Sequence, residues 1–593
     1  MQFCHFDTFG GFMSKQKLTK EMRKKRILPT LLLSLTIPLV LCVFIPLEIY
    51  GNNLDEFMFS LSGFLPMCFV FALLFSSLIF VGLFFLPQKG YKVCCTLVAA
   101  FAIMMFVQGT YLNAGLSSLA GDNLGDQTVS VFAKILNLAI WLVVIAGAVV
   151  FSLCFDKKGL SGVITLVVCA VVLVAQLMGP VVVILSNDQV FVNKEDRFAS
   201  QDQEYTHRIL TKQNLTTLST SDNIYYFCID RFDQEYAERA LRECPEVFDS
   251  LKGFTSYTDN ISLYGHTFPG ISNLLTSELY DTDKLRGEYL DELYAENDTL
   301  QVLAQNGYKI NLYTQPYYAY TDAYYLPDYV QNVADATTYT VKNKPVLALN
   351  MIGIAVYRCL PIIAKPVAGS ISSATCNNQV VSTGANGYEE FSTDMKNTWQ
   401  SISQASFDST GDKNFTFIHV EGCHGVDYDE DWNSVGLFGD KDIMISLKNS
   451  FEIINVYLQA MKDAGVYDDA TIIITGDHAT PINDFAKLGE PSRTALFFKP
   501  SNSGNHPLKY SDAQVSHQNV WPAIFQSAGI EVPASFGKSL LDIKEGEQTT
   551  RYYYWHTYGL TFSEYVYEIK GSGKDFANWK LVKTTHFDRF IMD

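Results

Sequence analysis

Apolar positions along this chain fall into two regimes that meet near residue 188. Before it, five long runs are apolar almost without interruption: Ile27–Ile49, Phe59–Leu86, Val93–Tyr111, Ile135–Cys154 and Ser161–Leu185. Each reaches or approaches the roughly 20 residues that a helix needs to cross a bilayer. Five transmembrane helices are therefore predicted over residues 1–188. The first run is too long, and too closely followed by others, to be a cleaved signal peptide.

After residue 188 the pattern shortens. A polar stretch, 189–220, reads as a linker. Then "NIYYFCID" (Asn223–Asp230), "FTFIHV" (Phe415–Val420), "TIIITGD" (Thr471–Asp477) and "TALFFKP" (Thr494–Pro500) alternate with helical stretches. Runs apolar at every position are what strands of a helix-covered, mainly parallel sheet look like. Ser446–Gly465 is patterned as an amphipathic helix that stops at a glycine, directly before the Thr471 strand. An α/β domain is thus expected over 221–535. A small antiparallel element rich in Tyr and Trp is expected over 536–593. Leu347–Pro366 is apolar enough to resemble a sixth span, but Arg358, Pro361 and Lys365 interrupt it. It reads instead as a core helix or as a segment lying on a membrane surface.

Charge adds an orientation. Lys15, Lys17, Lys20, Arg23, Lys24, Lys25 and Arg26 precede the first run, Lys89 and Lys92 lie in the second loop, and Lys157 and Lys158 in the fourth. The alternate loops hold Asp55 and Glu56, then Asp122 and Asp126, with Lys134 at a helix edge. Positive loops stay inside, so the N-terminus is predicted cytoplasmic and everything after Leu185 extracellular. None of the runs carries the clustered acids of a transport pathway, so the bundle reads as an anchor. The chain's net charge of −18 is concentrated beyond residue 188, where 53 acidic residues face 32 basic ones. A domain that acidic is a poor ligand for nucleic-acid phosphates. It holds five of the 12 cysteines, an odd number, so a core and not a disulfide framework is expected to hold it together.

In open α/β sheets ligands gather beyond the carboxyl ends of strands. Those ends carry Asp230, then His419 and His424, then Asp477 and His478. Between them lies "YGHTFPGISNLLTS" (Tyr264–Ser277), where Thr267 precedes a predicted helix at Ile271–Leu279. Its hydroxyl is thereby expected near a helix N-terminus, a natural place for an anion. Taken singly, a strand-end aspartate or such a threonine serves most often as a cap.

Taken together, "YYFCIDRFD", "HTFPGISNLLT", "FIHVEGCHG", "TGDHAT" and "FGKSLLDI" resemble, in order, the sulfatase-like branch of the alkaline phosphatase superfamily over about residues 221–545. With five preceding spans, the layout is closest to that of the lipoteichoic acid synthase-type membrane phosphotransferases. The resemblance implies an alkaline phosphatase/sulfatase-like fold. It implies a divalent metal held by Asp230, Thr267, Asp477 and His478, with Thr267 as nucleophile and His424 contacting substrate phosphate or moving a proton. His266 and Arg493 are further candidates for phosphate contact. His419 reads as a core histidine, His517 as a cap-and-core residue and Arg231 as structural.

The departures narrow the chemistry. Threonine cannot be oxidised to the formylglycine aldehyde of sulfatases, and Ile271 stands where their maturation motif has arginine. The second metal site of alkaline phosphatases is missing its aspartate, since Val420 stands four before His424, and no histidine occurs from Ala479 to Asn505. One cation is expected, manganese first, with zinc, magnesium or calcium fitting the same ligands. The expected activity is transfer of a phosphoglycerol- or phosphoethanolamine-like group from a phospholipid to an envelope glycan or lipid. The alternatives are a phosphodiesterase or phosphatase using water, and a catalytically silent envelope sensor or scaffold.

Overall fold

The structure is a computed structural model that describes residues 19–54, 57, 59–113, 130–155, 160–193, 208–295, 297–315, 318–320, 326–365, 380–424, 426–437, 443–481, 489–557 and 562–587. The loop charges Lys15, Lys17, Asp55, Glu56, Asp122, Asp126, Lys157 and Lys158 lie outside the described residues. Two compact units emerge: Met1–Glu204 with Thr338–Thr383, and Tyr205–Thr337 with Gly384–Asp593.

The first unit contains five helices long and apolar enough to cross a membrane: α1 (Lys20–Asn52), α2 (Leu65–Phe84), α3 (Gln88–Leu112), α4 (Val131–Leu153) and α5 (Leu160–Ser186). They match the five predicted runs. The helix Lys344–Cys359, distant in sequence, belongs to this unit as well. Asn343 caps its start by accepting from the Val346 N–H at 3.2 Å, and Pro361 follows its end. Leu347, Ala348, Met351 and Ala355 pack with Tyr50, Phe64 and Met104 of the bundle. The segment read as a core or surface helix is therefore a buried element of the helical unit, not of the α/β domain in which its sequence position put it.

Polar groups fix its far end. Both terminal nitrogens of Arg358 lie 3.1 Å from Glu48 Oε1. Buried Gln108 accepts from Asn137 Nδ2 at 2.8 Å and Trp141 Nε1 at 3.0 Å, and donates to Asn113 Oδ1 at 2.8 Å. Asn113 Nδ2 then donates to the Arg358 carbonyl, and the Ile362 N–H to Asn137 Oδ1. Such groups, taken from water, persist only when satisfied. The arginine and glutamate side chains are 24% and 19% exposed, so removing one strands a largely buried charge. Arg358→Ala is expected to destabilise this unit by about 1–3 kcal/mol. The pair Arg358→Met/Glu48→Gln should recover most of the loss. Thermal melting in detergent measures both, and an unshifted melting temperature for Arg358→Ala refutes the tie.

The second unit is built on a seven-stranded sheet. Its strands are β1 (Asn223–Ile229), β2 (Thr255–Tyr257), β3 (Tyr308–Tyr313), β4 (Lys413–Val420), β5 (Thr471–Thr475), β6 (Leu496–Lys499) and β7 (Lys509–Ser511), in the order β7-β2-β6-β5-β1-β4-β3. Only β6 runs against its neighbours. A separate antiparallel sheet, β8 (Thr550–Thr557), β9 (Phe562–Lys570) and β10 (Trp579–Phe587), closes the chain.

Alternation explains why the central strands are apolar throughout. Ile224, Tyr226 and Cys228 of β1 share one core with Ile271, Leu274 and Leu275 of the helix Thr267–Thr276 and with Trp521. Tyr225, Phe227 and Ile229 share the opposite core with Phe451, Ile454 and Tyr457 of the helix Ile443–Asp463. Phe415 and Phe417 of β4 and Ile473 of β5 lie on the first of these faces. Continuing each series by steps of two brings His419, Asp230 and Asp477 to the face where the Thr267 helix packs.

Candidate active site

Register completes what alternation begins. His419 pairs with Cys228 and Val420 with Ile229, while Thr475 pairs with Cys228 on the other side. Three parallel strands thus stop at one level. Asp230 follows β1, and Gly476 lets the chain turn where a Cβ would come within 2.8 Å of the Phe232 nitrogen. Asp477 and His478 come next. Gly270, one turn beyond Thr267, lies against the Asp477 carbonyl, which an added Cβ would approach to 3.2 Å.

Asp230, Asp477 and His478 are buried, each offering one ligand atom within 4.8 Å of the others. His478 Nε2 stands 3.7 Å from Asp230 Oδ1 and 3.6 Å from Asp477 Oδ2. Thr267 Oγ1 is 3.4 Å from Asp230 Oδ2 and 3.4 Å from His478 Nε2. The four residues expected to hold a metal therefore converge on one point. His424 comes near them, its ring centroid 6.3 Å from that of His478.

A cation fits this set by an observation independent of the resemblance. Asp477 Oδ1 accepts the N–H groups of Arg231 at 2.9 Å and His478 at 2.8 Å. Asp477 Oδ2 and Asp230 Oδ1, both buried, have no hydrogen-bond partner among the described residues. Buried oxygens left so cost free energy unless something fills the place. His478 is prepared in the same sense. The Ala479 carbonyl, 2.7 Å from Nδ1, can only accept. It therefore keeps a proton on Nδ1 and makes Nε2, which faces the carboxylates, the nitrogen that could ligate a cation. Electrostatics agree. Burial, then the charge of Asp230, pushes the Asp477 carboxyl upward. Burial also acts upward on Asp230, but the facing His419, His424 and His478 outweigh it and the net shift is downward. Two facing carboxylates that disfavour joint ionisation are what a divalent cation relieves.

The remaining expectations divide. His419 is buried as a core histidine should be, with Nδ1 3.2 Å from Thr314 Oγ1. Its Nε2, however, faces Asp230 Oδ2 at 3.6 Å, so it also borders the site. The signal for this is its even spacing from Phe415 and Phe417, readable only once the register with Cys228 is known. His266 precedes Thr267 but spends Nε2 on the His556 carbonyl at 2.9 Å. Arg493 Nη1 is held by Glu238 Oε1 at 3.1 Å and the Thr258 carbonyl at 2.8 Å, and is not brought among the four. Arg231 adopts a left-handed backbone (φ 55°) as its N–H turns to Asp477. His517 is buried, with Nε2 3.2 Å from Thr475 Oγ1. The helix expected at Ile271–Leu279 spans Thr267–Thr276, with non-helical dihedrals at Phe268 and Pro269.

No protein-family model and no curated protein matches the chain. Solved structures similar to it include a protein in the alkaline phosphatase superfamily from Vibrio parahaemolyticus (10% identity, 66% of this chain and 89% of that one, TM-score 0.35). The putative sulfatase yidJ from Bacteroides fragilis is another (12%, 62% and 89%, 0.34). A third is the lipoteichoic acid synthase LtaP from Listeria monocytogenes (10%, 67% and 90%, 0.30). These likenesses are low in identity and TM-score, and the reading of the site rests on its own side chains.

Proposed function

We propose that this protein is a membrane-anchored, metal-dependent phosphotransferase of the sulfatase-like branch of the alkaline phosphatase superfamily, with Thr267 as nucleophile. In this reading it takes a phosphoglycerol- or phosphoethanolamine-like group from a phospholipid and passes it to an envelope glycan or lipid. The observation that carries it is the Thr267 hydroxyl set 3.4 Å from both Asp230 and His478, beside carboxylate oxygens that lack partners among the described residues. The ordered sequence motifs support the family, and the five apolar helices support the anchor. The loop charges favour a cytoplasmic N-terminus and a catalytic domain outside.

Asp230, Asp477, His478 and Thr267 would hold one divalent cation, manganese being the first candidate. Such an ion supplies charge neutralisation at the phosphoryl oxygens and acidifies a hydroxyl. Thr267 Oγ1 forms the bond to phosphorus as its proton passes to solvent water, while the bond from phosphorus to the diacylglycerol oxygen breaks and that oxygen takes up a proton. His424, in reach of His478, contacts the phosphoryl group or returns a proton to the departing oxygen. Burial holds its ring below the usual imidazole range, and a bound phosphodiester anion would draw it back up. An acceptor hydroxyl then attacks the phosphothreonine and frees Thr267.

The test is incubation of the full-length protein with head-group-labelled phosphatidylglycerol and phosphatidylethanolamine in the presence of Mn²⁺. Diacylglycerol release and a labelled Thr267 peptide by mass spectrometry are expected, both absent in Thr267→Ala. Head group delivered only to water would make the enzyme a hydrolase. No adduct and no diacylglycerol from either lipid would refute the phosphotransferase, and a lack of Mn²⁺ binding as well would leave the sensor or scaffold.

A further inference from the structure

Helical geometry is interrupted directly after Thr267, at Phe268 (ψ 128°) and Pro269 (ψ 19°), although the Gly270 N–H still donates to the His266 carbonyl at 3.1 Å. With the helix irregular at that point, the placement of Thr267 depends also on the residues before it, and these are held by the C-terminal sheet. Tyr264 and Tyr554 form a parallel bridge, with the Tyr554 N–H donating to the Leu263 carbonyl at 2.8 Å and the Gly265 N–H to the Tyr554 carbonyl at 3.3 Å. Gly265 is pressed so close that a Cβ would stand 2.3 Å from the Tyr553 hydroxyl. One residue on, His266 Nε2 lies 2.9 Å from the His556 carbonyl, an atom that only accepts, so Nε2 carries the proton.

The same sheet grips the other end of the segment. Arg551 Nη1 lies 2.9 Å from Asp259 Oδ1 in a fully buried ion pair, Arg551 Nη2 donates to the Gly571 carbonyl at 2.7 Å, and the Gly573 N–H donates to Asp259 at 2.9 Å. Residues 259–266 are thus tied at both ends to β8 and the turn after β9. The His556 ring lies 3.4 Å from Glu564 Oε2 on the neighbouring strand and against the Tyr264 ring (centroids 5.9 Å apart), which helps to fix the strand that offers the carbonyl.

We infer that His266 is a positioning residue for Thr267, and that through it the C-terminal sheet is part of the catalytic apparatus and not a passive appendage. This rests on the role given above to Thr267. The ring's bond to His556 sets the direction in which the chain enters Thr267, and so where Oγ1 stands between Asp230 and His478. It further predicts that His266 does not bind substrate through Nε2.

The experiment compares wild type, His266→Ala, His266→Gln and Thr267→Ala in the full-length protein. Glutamine can return an N–H to the His556 carbonyl. Two quantities are read: Mn²⁺ affinity by calorimetry, and kcat and KM for bis(p-nitrophenyl) phosphate. Misplacing a reacting atom by about 1 Å can cost on the order of 100-fold. His266→Ala is therefore expected to lower kcat by about 10–100-fold with KM within about twofold. Mn²⁺ binding should weaken in the same direction as in Thr267→Ala, and glutamine should restore most of both. If alanine prevents folding, His266→Phe, of similar bulk but with no donor, takes its place. A raised KM at unchanged kcat would overturn the inference in favour of substrate contact. Unchanged Mn²⁺ affinity in His266→Ala, or a loss that glutamine does not restore, would also overturn it. A wild type that binds Mn²⁺ but turns over no phosphodiester refutes the proposed activity alone, and the calorimetry still decides on His266.

Discussion

Thr267→Ala is expected to lower phosphodiester turnover by about 10⁴-fold or more, the scale at which enzymes lose a covalent nucleophile. Among the described residues no other hydroxyl or thiol is hydrogen-bonded to the side chains of Asp230, Asp477 or His478. The groups within reach of Oγ1 are the Asp230 carboxylate and the His478 imidazole, both of which have prior roles as ligands in this reading. The substitution should leave the fold standing, since the residue is small and the core of its helix is supplied by Ile271, Leu274 and Leu275. Thr267→Ser keeps the hydroxyl but loses the methyl group that limits its rotamers, and should retain a measurable part of the rate. Steady-state kinetics with the melting temperature as control checks this. An alanine variant within tenfold of wild type would remove Thr267 from the chemistry.

The second large effect is a reversal of sign at Asp477. In Asp477→Asn the Oδ1 acceptor of the Arg231 and His478 N–H groups survives, while the carboxylate charge facing Asp230 disappears. Without metal, the wild type holds two buried carboxyl groups that oppose each other's ionisation. At neutral pH the metal-free asparagine variant is therefore expected to melt higher than the metal-free wild type. With Mn²⁺ the order inverts. A ligand present at 100 times its Kd stabilises the folded state by about 2.7 kcal/mol. The wild type should gain on that scale, and the variant should gain little. Its Mn²⁺ affinity should fall by more than the roughly 10–100-fold typical of losing an outer-shell partner. Calorimetric melting with and without Mn²⁺ reads both signs. Equal Mn²⁺ stabilisation of the two proteins would mean that Asp477 is no ligand.

Asp230, Asp477 and His478 were legible in the sequence because strand ends are local features. An apolar run stops, and the next residue stands at the carboxyl edge of a sheet. Thr267 was legible through its motif, and its meeting with Asp230 follows from one alternation rule applied to Ile224, Tyr226 and Cys228. What stayed hidden depended on pairing between distant segments. His419 borders the site because of its register with Cys228, and Arg493 is engaged because Glu238 and the Thr258 carbonyl meet it. The even spacing of His419 from Phe415 and Phe417 gives its face but not its neighbours, and the engagement of Arg493 has no local signature. The helix Lys344–Cys359 is the clearest case. Its composition fits a core helix in either unit, and only partners such as Glu48 and Asn113, some 245–310 residues away in the chain, decide which.

That helix also bears on how the protein can be taken apart. Many surface enzymes leave their anchor when a protease cuts once in the connecting stalk. Here the chain passes between the two units three times, at Glu204–Tyr205, Thr337–Thr338 and Thr383–Gly384. A nick after Glu204 leaves the second unit covalently joined to the helix Lys344–Cys359, which packs with Tyr50, Phe64 and Met104. A single cut there is therefore expected to leave the second unit bound to the helical one through this helix, which fractionation of the nicked protein between detergent and buffer would check. A fragment begun at Tyr205 would carry an apolar helix stripped of its partners, and would have to have 338–383 replaced by a short polar bridge to remain in solution.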